Sequence, residues 1–133
     1  MPRFLLIVNH DDGVIDTPMD EWKPDEIAAH MNYYEALNRD LIQNGELAGA
    51  TILADPRRAR IVRCDGGSPA VVTDGPFPES KELLAGYRMI DVESEARAIE
   101  IAAKASAAPG PGGVPIQQPI EVRQVMGAPA NGE

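Results

Sequence analysis

The sequence is poor in sulfur, in aromatic carbon and in positive charge. Its one cysteine, Cys64, has no partner for an internal disulfide and is too few for a thiolate zinc site. A lone thiol suits a reducing compartment. Within the strand-like run Arg60-Ile61-Val62-Arg63-Cys64 it is expected to pack as a small hydrophobe. The two histidines, His10 and His30, stand far apart, and no ligand spacing recurs, so no metal site is expected. Aromatics make up 5% of the chain, so its core must be mostly aliphatic. Twelve basic residues face 21 acidic ones, for a formal net charge of -9 and a pI near 4.6. A chain of that sign is repelled by nucleic acid and by anionic membranes. There is no phosphate-cradling glycine loop and no serine in a nucleophile elbow. The apolar run Phe4 to Val8 is too short to cross a bilayer. No small-residue cleavage site precedes Asn9-His10-Asp11-Asp12, so no signal peptide is expected and a cytoplasmic location is.

What is present fits one soluble domain. The chain has 133 residues, 44% hydrophobic and 25% charged. The domain is expected over 1–126, with a fraying tail at 127–133. Phe4 to Val8 reads as a strand that is apolar on both faces, and such a strand needs cover on both. Two helices can cover one face, and a second copy of the chain is the expected cover for the other. Thr17-Pro18-Met19-Asp20 has the residues of a helix start. A long helix is expected from Asp25 to Asn44, ended by Gly45. Its stripe of Ile27, Met31, Tyr34, Leu37 and Leu41 also takes in His30 and Asn38, two polar groups that need partners or a cavity.

Strands are expected at Glu46 to Ala54 and, as a hairpin across Gly66-Gly67-Ser68-Pro69, at Arg60 to Asp65 and Ala70 to Thr73. A further strand runs from Leu84 to Val92, where Gly86 marks a bulge or a close approach. Ser94 caps a second helix reaching Ala107, with Ala96, Ile99, Ala102 and Ala103 on its packed side. Pro109 to Gly113 reads as a flexible tip, and Ile120 to Val125 as a last strand. The order strand, helix, strand, hairpin, strand, helix, strand predicts a ferredoxin-like α+β sandwich with an extra hairpin.

The densest motif is Thr73-Asp74-Gly75-Pro76-Phe77-Pro78-Glu79-Ser80-Lys81-Glu82. It sets an acid, a glycine, a proline and an aromatic between two strands. Asp74 can close a turn on its own backbone or act as a partner acid. Phe77 can plug its own loop or wall a cleft. Glu79 and Lys81 can reach a ligand or form a solvated turn. His30 can move protons if an acid orients it, or can sit in the core on a backbone carbonyl. Tyr34 and Asn38 share its face. Arg57, Arg58, Arg60 and Arg63 can take a carboxylate or phosphate, or keep a strand edge soluble.

The run Thr73 to Leu83 resembles the signature of DGPF-domain proteins, a branch of the YciI-like (YCII-related) family. The resemblance continues through Gly86-Tyr87, Ile90-Asp91-Val92, Ala98-Ile99-Glu100 and Ile120-Glu121-Val122-Arg123, and takes in Phe4 to Ile7 upstream. It implies a ferredoxin-like domain that pairs as a dimeric α+β barrel. It also implies a His–Asp pair beneath a cleft near the dimer interface, which here would be His30 and Asp74. Tyr34, Asn38, Phe77, Glu79 and Lys81 would line that cleft. The expected chemistry is cofactor-independent acid–base work on a small organic molecule. The alternative is a non-catalytic regulatory protein associated with an alternative sigma factor. The long acidic loop from Asn9 to Lys23 departs from the family pattern.

Overall fold

A computed structural model describes residues 1–9, 17–54, 56–75 and 84–127. Its elements are β1 (Arg3–Asn9), α1 (Pro24–Gln43), β2 (Leu47–Ile52), β3 (Arg60–Arg63), β4 (Val71–Asp74), β5 (Leu84–Asp91), α2 (Glu95–Ser106) and β6 (Ile120–Gln124). The four-stranded sheet has the order β2-β5-β1-β6, and β3 and β4 form a separate pair. All its pairings are antiparallel. This is the ferredoxin-like α+β arrangement, with the hairpin added between β2 and β5.

Local sequence accounts for the element ends. Glu26 reaches back to the Lys23 amide at 2.9 Å and fixes the start of α1. Gly45, at φ +72°, ends that helix as glycine does in the left-handed region. The Ser94 hydroxyl accepts the Arg97 amide at 3.2 Å and starts α2. Asp65 closes the β3–β4 turn by accepting the Gly67 and Ser68 amides at 3.0 and 2.9 Å. Gly86 is a close approach: a Cβ there would stand 2.7 Å from the Thr51 carbonyl oxygen on β2.

The core lies on one face of the sheet. Phe4 pairs with Ile90, and partners across antiparallel strands share a face. On that inner face Phe4, Leu6 and Ile90 meet Leu37 and Leu41 of α1 and Ala98, Ile101, Ala102 and Ala105 of α2. A second, smaller core joins Trp22, Ala108 and Ile116. The outer face carries Leu5 and Ile7 beside Met89 and Tyr87, all half-buried. Ion pairs flank them, Arg3 with Asp91 and Arg123 with Glu121.

Several expectations need correcting. Cys64 is exposed, because no helix covers the hairpin among the described residues. The packed side of α2 is Ala98, Ile101, Ala102 and Ala105, while Ile99 is 54% exposed. Met31 is also exposed, at the edge of the α1 stripe. Thr17 to Asp20 starts only a 3-10 turn, Met19–Glu21, with Pro18 preceding it. Pro109 to Gly113 is not a free tip: Gly110 is buried, and Pro109 bridges to Pro115. A Cβ on Gly110 would lie 2.8 Å from the Ile116 side chain.

Candidate functional site

The polar groups of α1 gather on its inner face near the end of α2. His30 is 5% exposed and is the one buried polar side chain among the described residues. Its ring sits edge-on between Trp22, at 5.3 Å between centroids, and Tyr34, at 4.8 Å. Its Nδ1 lies 2.9 Å from the Pro109 carbonyl oxygen. A carbonyl only accepts, so Nδ1 carries the proton. In the neutral ring, Nε2 is then the basic nitrogen.

The neighbouring hydroxyls add second donors to two last-turn carbonyls of α2, which otherwise bond only the amides of the cap. Tyr33 donates to the Lys104 carbonyl at 2.6 Å and Tyr34 to the Ala105 carbonyl at 3.2 Å. Burial pushes the Tyr34 phenol up, with the Arg88 charge opposing. Trp22 donates its indole N–H to the Thr17 carbonyl at 3.0 Å. Glu26 ties the far side of the segment down by accepting the Gly112 amide at 2.7 Å. The bond from the Lys23 amide, and after it the one from Gly112, hold its carboxyl below the ordinary carboxylate range.

Asn38, a turn further along α1 from Tyr34, accepts from Arg88 Nε at 2.9 Å. The Arg88 guanidinium lies over the Tyr34 ring, 4.9 Å from its centroid. Three of the expected residues, His30, Tyr34 and Asn38, therefore stand in one connected cluster. Arg88 completes it and was missed in the sequence. The signal was there: an arginine falls between Gly86 and Ile90 on the alternation that otherwise faces the core.

Asp74 stands apart from that cluster. It ends β4, its carboxylate is 93% exposed, and it pairs with Arg60 at 3.5 Å. His30 makes no hydrogen bond to it; the group orienting the ring is the Pro109 carbonyl. Phe77, Glu79 and Lys81 lie outside the described residues. Two hollows lie elsewhere. One of roughly 150 Å³ is lined by Asp40, Asn44, Arg97 and Lys104 between the helices. The other, of roughly 260 Å³, is lined by Arg63, Cys64, Asp65 and Ser68 at the hairpin turn. Among the described residues no group of three or more His, Cys, Asp or Glu is arranged to hold a metal ion. No helix among them is long and apolar enough to cross a membrane.

With this geometry in place, comparison with known proteins gives a family. The sequence profile of the YCII-related domain matches residues 2–116. An uncharacterized protein of Rhizobium meliloti (strain 1021) is 32% identical over 81 residues. That match covers 61% of this chain and 64% of the relative's length.

Proposed function

The chain belongs to the YCII-related domain family, and we propose that it binds a small organic molecule between α1 and the inner face of its sheet. His30 handles a proton there through Nε2, while Tyr34 and Asn38 contact the ligand. The observation that carries this reading is the clamped ring of His30. A buried imidazole held at Nδ1 by a carbonyl has its tautomer fixed, as a general base requires.

The finer parts of the reading go with it. The chain is a DGPF-branch protein, one domain over 1–126, working as a homodimer. Its outer sheet face, with Leu5, Ile7, Tyr87 and Met89 half-buried between ion-paired rims, suits a second copy. Phe77, Glu79 and Lys81 of the signature border the ligand in this reading. Asp74 pairs with His30 only if β4 or its loop shifts on binding. The alternative, a non-catalytic partner of a sigma factor, rests on resemblance alone.

The test is a thermal-shift screen of small metabolites, because a ligand of the folded state raises Tm. A hit is expected to raise Tm in the wild type and to be turned over. His30→Ala is expected to keep the fold and lose turnover. Undiminished turnover in that variant removes His30 from the chemistry. A screen without a single hit counts against the binding reading itself.

A further inference from the structure

Four of the nine arginines of this acidic chain stand in ion pairs with carboxylates of the described residues. Arg3 pairs with Asp91, Arg60 with Asp74, Arg97 with Glu46 and Glu100, and Arg123 with Glu121. Arg88 differs. It is half-buried on the inner face of β5, and both of its anchors are neutral: the Asn38 amide oxygen and the face of Tyr34. Among the described residues no carboxylate pairs with it. Burial pushes its guanidinium down from its ordinary value.

Among the described residues only Nε finds a hydrogen-bond acceptor, so the two Nη groups keep their donors. Among the described residues no side-chain nitrogen or oxygen that is closed off from solvent lacks a partner, so these donors remain reachable. The way in is from edge strand β2. Ala50 and Ile52 pair with Arg88 and Gly86 and share their face. Both are exposed, Ile52 at 91%. The helix layer therefore stops beside Arg88.

We infer that Arg88 is the anion-recognition residue of this site and that the ligand carries a single carboxylate. The inference rests on the ligand-binding reading above and narrows its chemistry. Asn38 and Tyr34 hold the guanidinium plane, and its free edge matches the two oxygens of a carboxylate. One uncompensated positive charge fits one negative charge. A chain of net charge -9 further disfavours a multiply charged ligand. The organic part of the ligand would lie along Tyr34 toward His30, which places the atoms next to the carboxylate near Nε2.

The experiment measures binding of benzoate, acetate and inorganic phosphate at matched ionic strength, with benzamide as the neutral control, by thermal shift and by NMR titration. Wild type is expected to bind the carboxylates and to ignore benzamide. Arg88→Gln is expected to weaken benzoate on the order of tenfold or more. Arg88→Lys, which keeps the charge and loses the fork, should fall between. If Arg88→Gln does not fold, the Lys variant alone decides. Benzoate binding unchanged in whichever variant folds overturns the inference. So does tighter binding of phosphate, which makes the ligand a phosphate ester. Equal binding of benzamide overturns it too, yet leaves the ligand-binding reading standing. No binding of any anion, with a neutral metabolite still raising Tm, has the same outcome.

Discussion

Strands β1 and β5 on one side, and β3 and β4 on the other, are antiparallel pairs that both carry apolar side chains. Their fates are opposite. Phe4, Leu6 and Ile90 are 3, 2 and 0% exposed, whereas Val62, Val71 and Val72 are 60, 60 and 58% exposed. The difference does not come from apolar content alone. It is in α1 and α2, which supply Leu37, Leu41 and Ile101 to one pair and, among the described residues, no core side chain to the other. A strand's own residues say that it pairs; what covers it is decided elsewhere in the chain.

The largest effect should come from emptying the covered side. Ile101 is fully buried between α2 and the sheet. Ile101→Ala leaves a cavity in a close-packed layer and should cost about 2–5 kcal/mol in urea denaturation. Ile99, two residues away on the exposed side of the same helix, should lose less than about 1 kcal/mol on the same truncation. Equal losses would mean that α2 presents a different face to the sheet. The contrast sharpens the comparison because both residues share one helix and one chemistry.

A middle-sized effect lies at the edge of the core. Arg97 donates Nε and Nη2 to the two oxygens of Glu46 at 2.9 Å each, joining α2 to the entry of β2. This fork holds the Glu46 carboxyl below the ordinary carboxylate range. A lowered folded pKa means that the contribution is complete above the unfolded value of about 4.3 and is lost as pH falls through the folded one. Glu46→Gln should therefore cost about 1.5–3 kcal/mol at pH 7. The gap between the two proteins should close as the solution is acidified well below that unfolded value. Asp91, held down in the same way by Arg3, also loses its contribution in acid. The difference between variant and wild type is therefore the quantity to follow by urea denaturation at each pH. A gap that persists in acid would assign the stabilisation to shape and not to charge.

The sequence carried the local features of the fold well. Gly45 after α1, Ser94 before α2, and Gly86 against β2 were legible because each depends on its own backbone or its nearest neighbours. The face of α2 was not. Ala96, Ile99 and Ala103 satisfy a helical stripe as well as Ala98, Ile101 and Ala105 do, and alanine carries too little area to break the tie. The segment 109–116 misled by composition, since its prolines and glycines look mobile while Gly110 is closed in by Ile116. At the site, the helix stripe already brought His30, Tyr34 and Asn38 together. Their partners came from afar. The Pro109 carbonyl is 79 residues from His30, and Arg88 is 50 residues from Asn38. Periodicity along one element cannot report contacts of that range.

The smallest effect is expected where the comparison began, on the uncovered pair. Val62 faces Val72 across the β3–β4 ladder, with both side chains largely in water. Val72→Thr keeps the β-branched shape and exchanges a methyl group for a hydroxyl, so little should change if water is what the side chain meets. The expected loss in urea denaturation is within about 0.5 kcal/mol in dilute solution. Repeating the measurement at a hundredfold higher protein concentration asks what covers the hairpin. A two-stranded ribbon alone is marginal in water, and four arginines at positions 57, 58, 60 and 63 sit on or beside it in a chain of net charge -9. A second copy would then be a natural cover. In that case wild-type stability rises with concentration and Val72→Thr costs more as it does. Such a result would erase the contrast between the two strand pairs: both would be covered, one by helices of its own chain and the other by its twin.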